Sequence, residues 1–183
     1  PAARDRGASG TGGADAVPAA CPGFVQLLTA FPAWAVNTRA TRCLPGREGL
    51  FDLAVVVDAD QLSVPELIPL LYRAKRALVI GDPARPVPWS ALEPAEDDTM
   101  QREAGLSPAR LDRHALAYTR DSAYDACAAA ASAAGRLPLW LEEHRRCRPE
   151  IAGVAARHCY GGRFVVLNRP AEQRAGGLAA EPA

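Results

Sequence analysis

Lysine is almost absent from this chain. Of 21 basic residues one is Lys75, and the rest are arginine. A phosphate-binding loop of the Gly-Lys-Ser/Thr kind sets a lysine on the β and γ phosphates of a nucleotide. Lys75 has no glycine beside it, which excludes a standard loop of that kind. Gly7 to Gly13 is rich in glycine but lacks the lysine and a preceding apolar strand, so it reads as linker. An excess of one charge is missing too. The 21 basic residues face 21 acidic ones, and no global field draws the chain onto nucleic acid or a membrane. No apolar run approaches the roughly 20 residues of a membrane span. No charged-then-apolar leader is seen, so the expectation is a cytoplasmic protein with no membrane partner. The five cysteines are Cys21, Cys43, Cys127, Cys147 and Cys159, an odd number at irregular spacing, which does not describe a secreted disulfide framework. His144-x-x-Cys147 and His158-Cys159 invite a zinc reading, but no CxxC pair exists and isolated reduced thiols are expected.

At 183 residues the chain can hold one domain or pieces of two. Residues 1–20 show no apolar periodicity and read as a flexible lead-in, as does the Gly/Ala/Pro-rich tail, 171–183. Phe24 to Phe31 has helical spacing, Trp34 to Val36 looks like a short strand, and a turn is expected at Pro45-Gly46. A helix is expected over Pro65 to Ala74 with Ser63 as its cap and Leu67, Leu70 and Leu71 on one face. Residues 90 to about 118 have weak patterning and read as a loop or small insertion, within a connector or helical insertion over 93–138. Ser122 to Ala134 is an Ala-rich helix ended by Gly135. Leu139 begins another unit, with a helix from Pro149 to about Tyr160 and a strand at Phe164 to Leu167.

The most informative stretch is Phe51-Asp-Leu-Ala-Val-Val-Val-Asp-Ala-Asp-Gln-Leu62. An apolar run ending in acid reads as a buried parallel strand that delivers carboxylates to its carboxyl end. Ala77 to Ile80 is a second such run, ending at Gly81-Asp82-Pro83. The order strand–helix–strand implies a crossover in a parallel sheet. Two neighbouring strands that both end in acid are how a nucleoside triphosphatase presents side chains to magnesium and the attacking water.

Taken together, Phe51 to Gln61, Gly81 to Arg85, His144-Arg-Arg-Cys-Arg-Pro-Glu-Ile151 and Cys159-Tyr-Gly-Gly-Arg-Phe164 resemble superfamily 1 helicases of the Upf-one-like branch, especially large bacterial AAA-domain proteins. The resemblance runs over about residues 31–168. It implies an α/β fold: an incomplete RecA-like, P-loop NTPase-type parallel sheet with flanking helices over 21–92, and the start of a second RecA-like lobe over 139–170. It also implies ATP and Mg2+ as cofactors and nucleic acid, DNA or RNA, as partner. By the same resemblance Asp58, Gln61, Asp82 and Arg146 take catalytic places, Arg85 and Arg145 take nucleotide-contacting places, and Asp58 is the metal ligand.

The departures fall on the chemistry. Aligned without a gap, the metal-binding aspartate of the family falls on Val57 and the catalytic glutamate on Asp58. With the register shifted so that Asp58 takes the metal, Ala59 stands at the base position. Asp60 is expected to face the other way along the strand or turn. Arg85 replaces the glutamine that senses the terminal phosphate, and Arg145 replaces an aromatic. The chain thus reads as a fragment or degenerate copy of a helicase core, unable to hydrolyse ATP alone. The alternatives are a non-catalytic module that docks another protein or the missing part of the helicase, and a nucleic-acid-binding remnant using Arg145, Arg146 and Arg148. The bland readings also stand: Asp82 as a turn cap, Arg146 as a surface arginine, and Asp58, Asp60 and Gln61 as ordinary strand-end polar residues.

Overall fold

The computed structural model describes residues 22–167. The readings of 1–20 and 171–183 lie outside the described residues. Helix α1, Pro22–Ala30, is followed by a run without regular structure and a 3₁₀ helix at Thr38–Cys43. Trp34 to Val36 is therefore not a strand: alternation over so few residues specifies extended backbone but supplies no ladder partner. The turn falls at Glu48-Gly49, not at Pro45-Gly46, and Gly49 takes the positive φ of 58° that closes it.

Strand β1, Ala54–Val56, runs parallel to β2, Ala77–Val79, in the register Ala54↔Ala77, Val55↔Leu78 and Val56↔Val79. Between them lies α2, Val64–Tyr72. Its start is set by a capping box, in which the Ser63 backbone N–H and hydroxyl both donate to Glu66, each at 2.9 Å. A second 3₁₀ helix, Ala59–Gln61, turns the chain from β1 towards α2.

Residues 90–118, read as weakly patterned, form two helices, α3 at Pro94–Glu103 and α4 at Pro108–His114. Each begins with proline in its first turn, where a missing N–H costs nothing. Polar side chains organise this insertion. Buried Asp97 accepts from the Thr119 backbone (3.1 Å) and hydroxyl (2.9 Å), while Arg120 pairs with Asp98 and Asp112. Helix α5, Ala123–Ala133, carries a second capping box, Ser122 with Asp125, and ends before Gly135 at φ 70°. A second parallel pair joins β3, Glu143–His144, to β4, Val165–Val166, with α6, Pro149–Cys159, between them.

The core is small. Val56, Ala59, Leu67 and Ala123 are buried together, with Leu62, Leu70, Val79, Tyr124 and Cys127 packed against them. Val56 and Ala54 of β1 share the face covered by α2 and α5. Side chains alternate along a strand, so Leu53, Val55 and Val57 point to the other face, joined by Leu78 through the register. That face is bare: these four are 50%, 52%, 62% and 51% exposed. The mixed helix and strand content with two small parallel sheets agrees with the α/β reading. No helix among the described residues is long and apolar enough to cross a membrane.

Candidate functional site

The polar residues singled out from the sequence converge at the carboxyl ends of β1 and β2. Asp58 comes directly after β1 and Val57, with φ 51° and ψ 43°, a left-handed conformation that few residues other than glycine adopt. Aspartate tolerates it better than most, and the reversal starts the 3₁₀ turn. Ala59 N–H then donates to the Ile80 carbonyl at 2.9 Å, which ties the turn to the end of β2.

That reversal swings Asp60 inward. It is 3% exposed and accepts from the Asp82 backbone N–H at 2.9 Å and from Gln61 Nε2 at 2.8 Å. Asp60 therefore does not face away, as expected from strand alternation; the chain leaves the strand before reaching it. Its burial raises the pKa, but the Gln61 and Asp82 hydrogen bonds and the Arg85 charge outweigh this and hold it below the ordinary carboxylate value.

Asp82 caps its own turn by accepting from Ala84 N–H at 3.0 Å, so the turn-cap reading holds. Its other oxygen accepts from the Tyr160 hydroxyl, across a long span of sequence. That hydrogen bond pushes the Tyr160 pKa up to about 12, because losing the proton would set two anions together. Tyr160 stacks on Phe164 at 4.4 Å between centroids, and Phe164 stacks on His144 at 5.5 Å. Nothing in the sequence pattern signalled this tie, since its two partners stand 78 residues apart.

Arg85 reaches all three aspartates. Its guanidinium lies 3.5 Å from Asp58, 3.5 Å from Asp60 and 4.0 Å from Asp82. Asp58, Gln61, Asp82 and Arg85 are thus brought together with Asp60 and Tyr160. Arg145 and Arg146 are not: Arg145 pairs with Glu143 at 2.7 Å, and Arg146 is exposed just beyond β3 in sequence, with no bond to this group. Lys75 is held at the opposite end of the strands, on Asp52 at 2.7 Å.

These residues do not fit a magnesium–nucleotide complex. Among the described residues no three His, Cys, Asp or Glu side chains are arranged to hold a metal ion. The carboxylates turn to the half-exposed guanidinium of Arg85, and Val57 presents only methyl groups. A cavity of about 740 Å³ borders the site, lined by Trp34, Val36, Phe51, Leu53, Val55 and Asp58 among others. Its basic lining residue, Arg73, is committed to the carbonyls of Leu44, Pro45 and Pro69 at 2.9–3.2 Å. No protein-family model matches the chain, and no curated protein matches it.

Proposed function

We propose that this chain is part of an ATP-dependent superfamily 1 helicase core, a fragment or degenerate copy, that does not hydrolyse ATP by itself. The observation that carries the reading is the parallel pair β1–β2, whose carboxyl ends gather Asp58, Asp60 and Asp82 around Arg85. The Tyr160–Asp82 bond supports it further, because it joins segments that the resemblance assigns to two lobes. Loss of hydrolysis is a consequence of the chemistry. Phosphoryl transfer depends on positioning and on charge set against the transferring group. Here the phosphate loop is missing, an apolar Val57 stands at the metal position, and Asp58 carries the Arg85 guanidinium.

The test is equilibrium binding of a fluorescent ATP analogue with and without Mg2+. The expected result is no binding that strengthens with magnesium. Magnesium-dependent turnover abolished by Asp58→Ala would falsify the inactive reading.

A second reading, a non-catalytic interaction module, is favoured by the bare face of Leu53, Val55, Val57 and Leu78. A partner covering that face would bury apolar surface that this chain leaves in water. Protection of these residues from solvent labelling in a native complex, with nucleotide binding absent, is the outcome that selects this reading over the first.

A further inference from the structure

The sheet has an open side. β1 pairs with β2 along one edge, and among the described residues no strand lies along its other edge. Backbone groups alternate in direction along a strand, so Ala54 and Val56 address β2 while Leu53, Val55 and Val57 address the open edge. The same three residues project their side chains onto the bare face. A strand that is apolar on both faces and unpaired along one edge has the character of an interior strand left at a rim.

The same chain carries a segment shaped for that edge. Between α5 and β3, Arg136-Leu-Pro-Leu-Trp-Leu-Glu-Glu143 leads into β3 with no helix or turn over 136–142. Leu137, Leu139 and Leu141 are 87%, 95% and 80% exposed, the barest apolar side chains among the described residues together with Trp89. Their spacing puts all three on one side of an extended run. Trp140 lies beneath the Arg163 guanidinium, 5.0 Å from the ring centroid. Pro138 restricts Leu137 to extended backbone. It also removes an N–H only at a position addressing the far side, which is where edge strands tolerate proline.

We propose that this chain pairs with a second copy of itself by reciprocal strand addition, Leu137–Leu141 of each copy joining the open edge of β1 in the other. This rests on reading the bare sheet edge as an interaction surface. Charge sets the direction. The edge ends in Asp58 at its carboxyl end, and at its start Asp52 has the cations Lys75 and Arg76 beside it. The segment begins with Arg136 and ends with Glu142 and Glu143. Antiparallel addition sets Arg136 by Asp58 and the glutamates by the basic start. It pairs Leu137 with Val57, Leu139 with Val55 and Leu141 with Leu53, all on the bare face. Asp52, which then faces Glu142, already has Lys75 against it at 2.7 Å. The cavity of about 740 Å³ between β1 residues and the run from Pro32 to Thr38 receives the added side chains. Reciprocal use of one segment and one edge by each of two copies makes a closed two-fold dimer rather than an open chain.

The experiment is sedimentation equilibrium of the chain over a wide concentration range. The wild type is expected to dimerise, and Leu139→Asp and Val55→Asp to weaken association on the order of a hundredfold, the scale of a lost buried anchor. Both residues are more than half exposed, so both variants keep the fold, checked by circular dichroism. An equimolar mixture of the two retains one intact segment facing one intact edge and forms a heterodimer that neither variant forms with itself. A monomer at all concentrations, a dimer indifferent to both substitutions, or a mixture no better than its components overturns the proposal. The broader interaction-surface reading is scored separately with a dye that binds apolar surface. A monomer that binds the dye overturns self-pairing alone, and a monomer that does not overturns both.

Discussion

The two parallel sheets are built to one plan and packed to different degrees. Each has two strands joined by a helix, β1–α2–β2 and β3–α6–β4. The first pair is three residues long, and its helix buries Leu67 against Val56 with α5 closing the layer. The second pair is two residues long, and its helix buries only Ala152 and Ala156. What holds the second pair is aromatic stacking of Tyr160, Phe164 and His144, plus one hydrogen bond from Tyr160 to Asp82 of the first unit. Connectivity alone therefore does not make a core. The first unit stands on buried aliphatic volume, whereas the second is held by its own ring contacts and leans on the first through the Tyr160–Asp82 hydrogen bond.

The sharpest way to break that comparison is to remove volume from each unit. Leu67→Ala, at a residue 3% exposed, is expected to cost about 2–4 kcal/mol in denaturant unfolding. Val165→Ala, at a residue 51% exposed, should stay below about 1 kcal/mol. Equal costs would show that the two units share one core after all.

Next in size is Gly81→Ala. A Cβ there would meet the Tyr124 ring at 2.7 Å, so α5 cannot stay as close to the strand end. A loss of about 1–3 kcal/mol is expected, as for overpacking. Tyr124→Ala in the same chain should recover part of it, and strict additivity in the double-mutant cycle would mean the ring is not the obstacle.

Asp60→Asn tests the joint between the two strand ends. The amide keeps the shape but loses the charge that Arg85 and the Asp82 N–H address, for a cost of about 1–2 kcal/mol. The sign with pH is set by a lowered pKa: the contribution is full above the ordinary value of 3.8 and fades as pH falls through the depressed one. The variant should accordingly lose less stability on acidification than the wild type, as read by unfolding midpoints across acid pH.

The smallest effect among the polar contacts is expected at the tie between units. Tyr160→Phe removes one hydrogen bond to a carboxylate, worth about 1 kcal/mol at a partly exposed position. Because the Tyr160 pKa rises from 10.0 to about 12, the contribution is full below 10.0 and is lost as pH climbs through about 12. Hydrogen exchange in α6 should quicken in the variant, and an alkaline fluorescence transition seen in the wild type should move towards the ordinary tyrosine range when Asp82→Asn removes the acceptor.

Much of the local structure was legible because it depends on neighbours in sequence. Ser63 with Glu66 and Ser122 with Asp125 announce helix starts, Gly135 announces an end, and the apolar runs before Asp58 and Asp82 announce two parallel strands. Gathering Asp58, Gln61, Asp82 and Arg85 was legible for the same reason, since neighbouring parallel strands carry their trailing residues to one end of the sheet. The strand expected at Trp34–Val36 failed where pairing needed a partner that local pattern cannot supply. Helices α3 and α4, inside the expected connector or helical insertion, had no readable bounds because α3 buries Asp97 and Gln101, α4 buries nothing, and the burial of Asp97 is satisfied by Thr119, far along the chain. Composition by itself settled that no Gly-Lys-Ser/Thr loop exists in this chain, since a loop without its lysine cannot be restored by folding. Only the tertiary structure decided that Asp60 turns inward, that Arg85 sits among three carboxylates, and that Tyr160 reaches Asp82. Each of those depends on a left-handed turn at Asp58 or on a contact between distant segments, and neither leaves a period in the sequence.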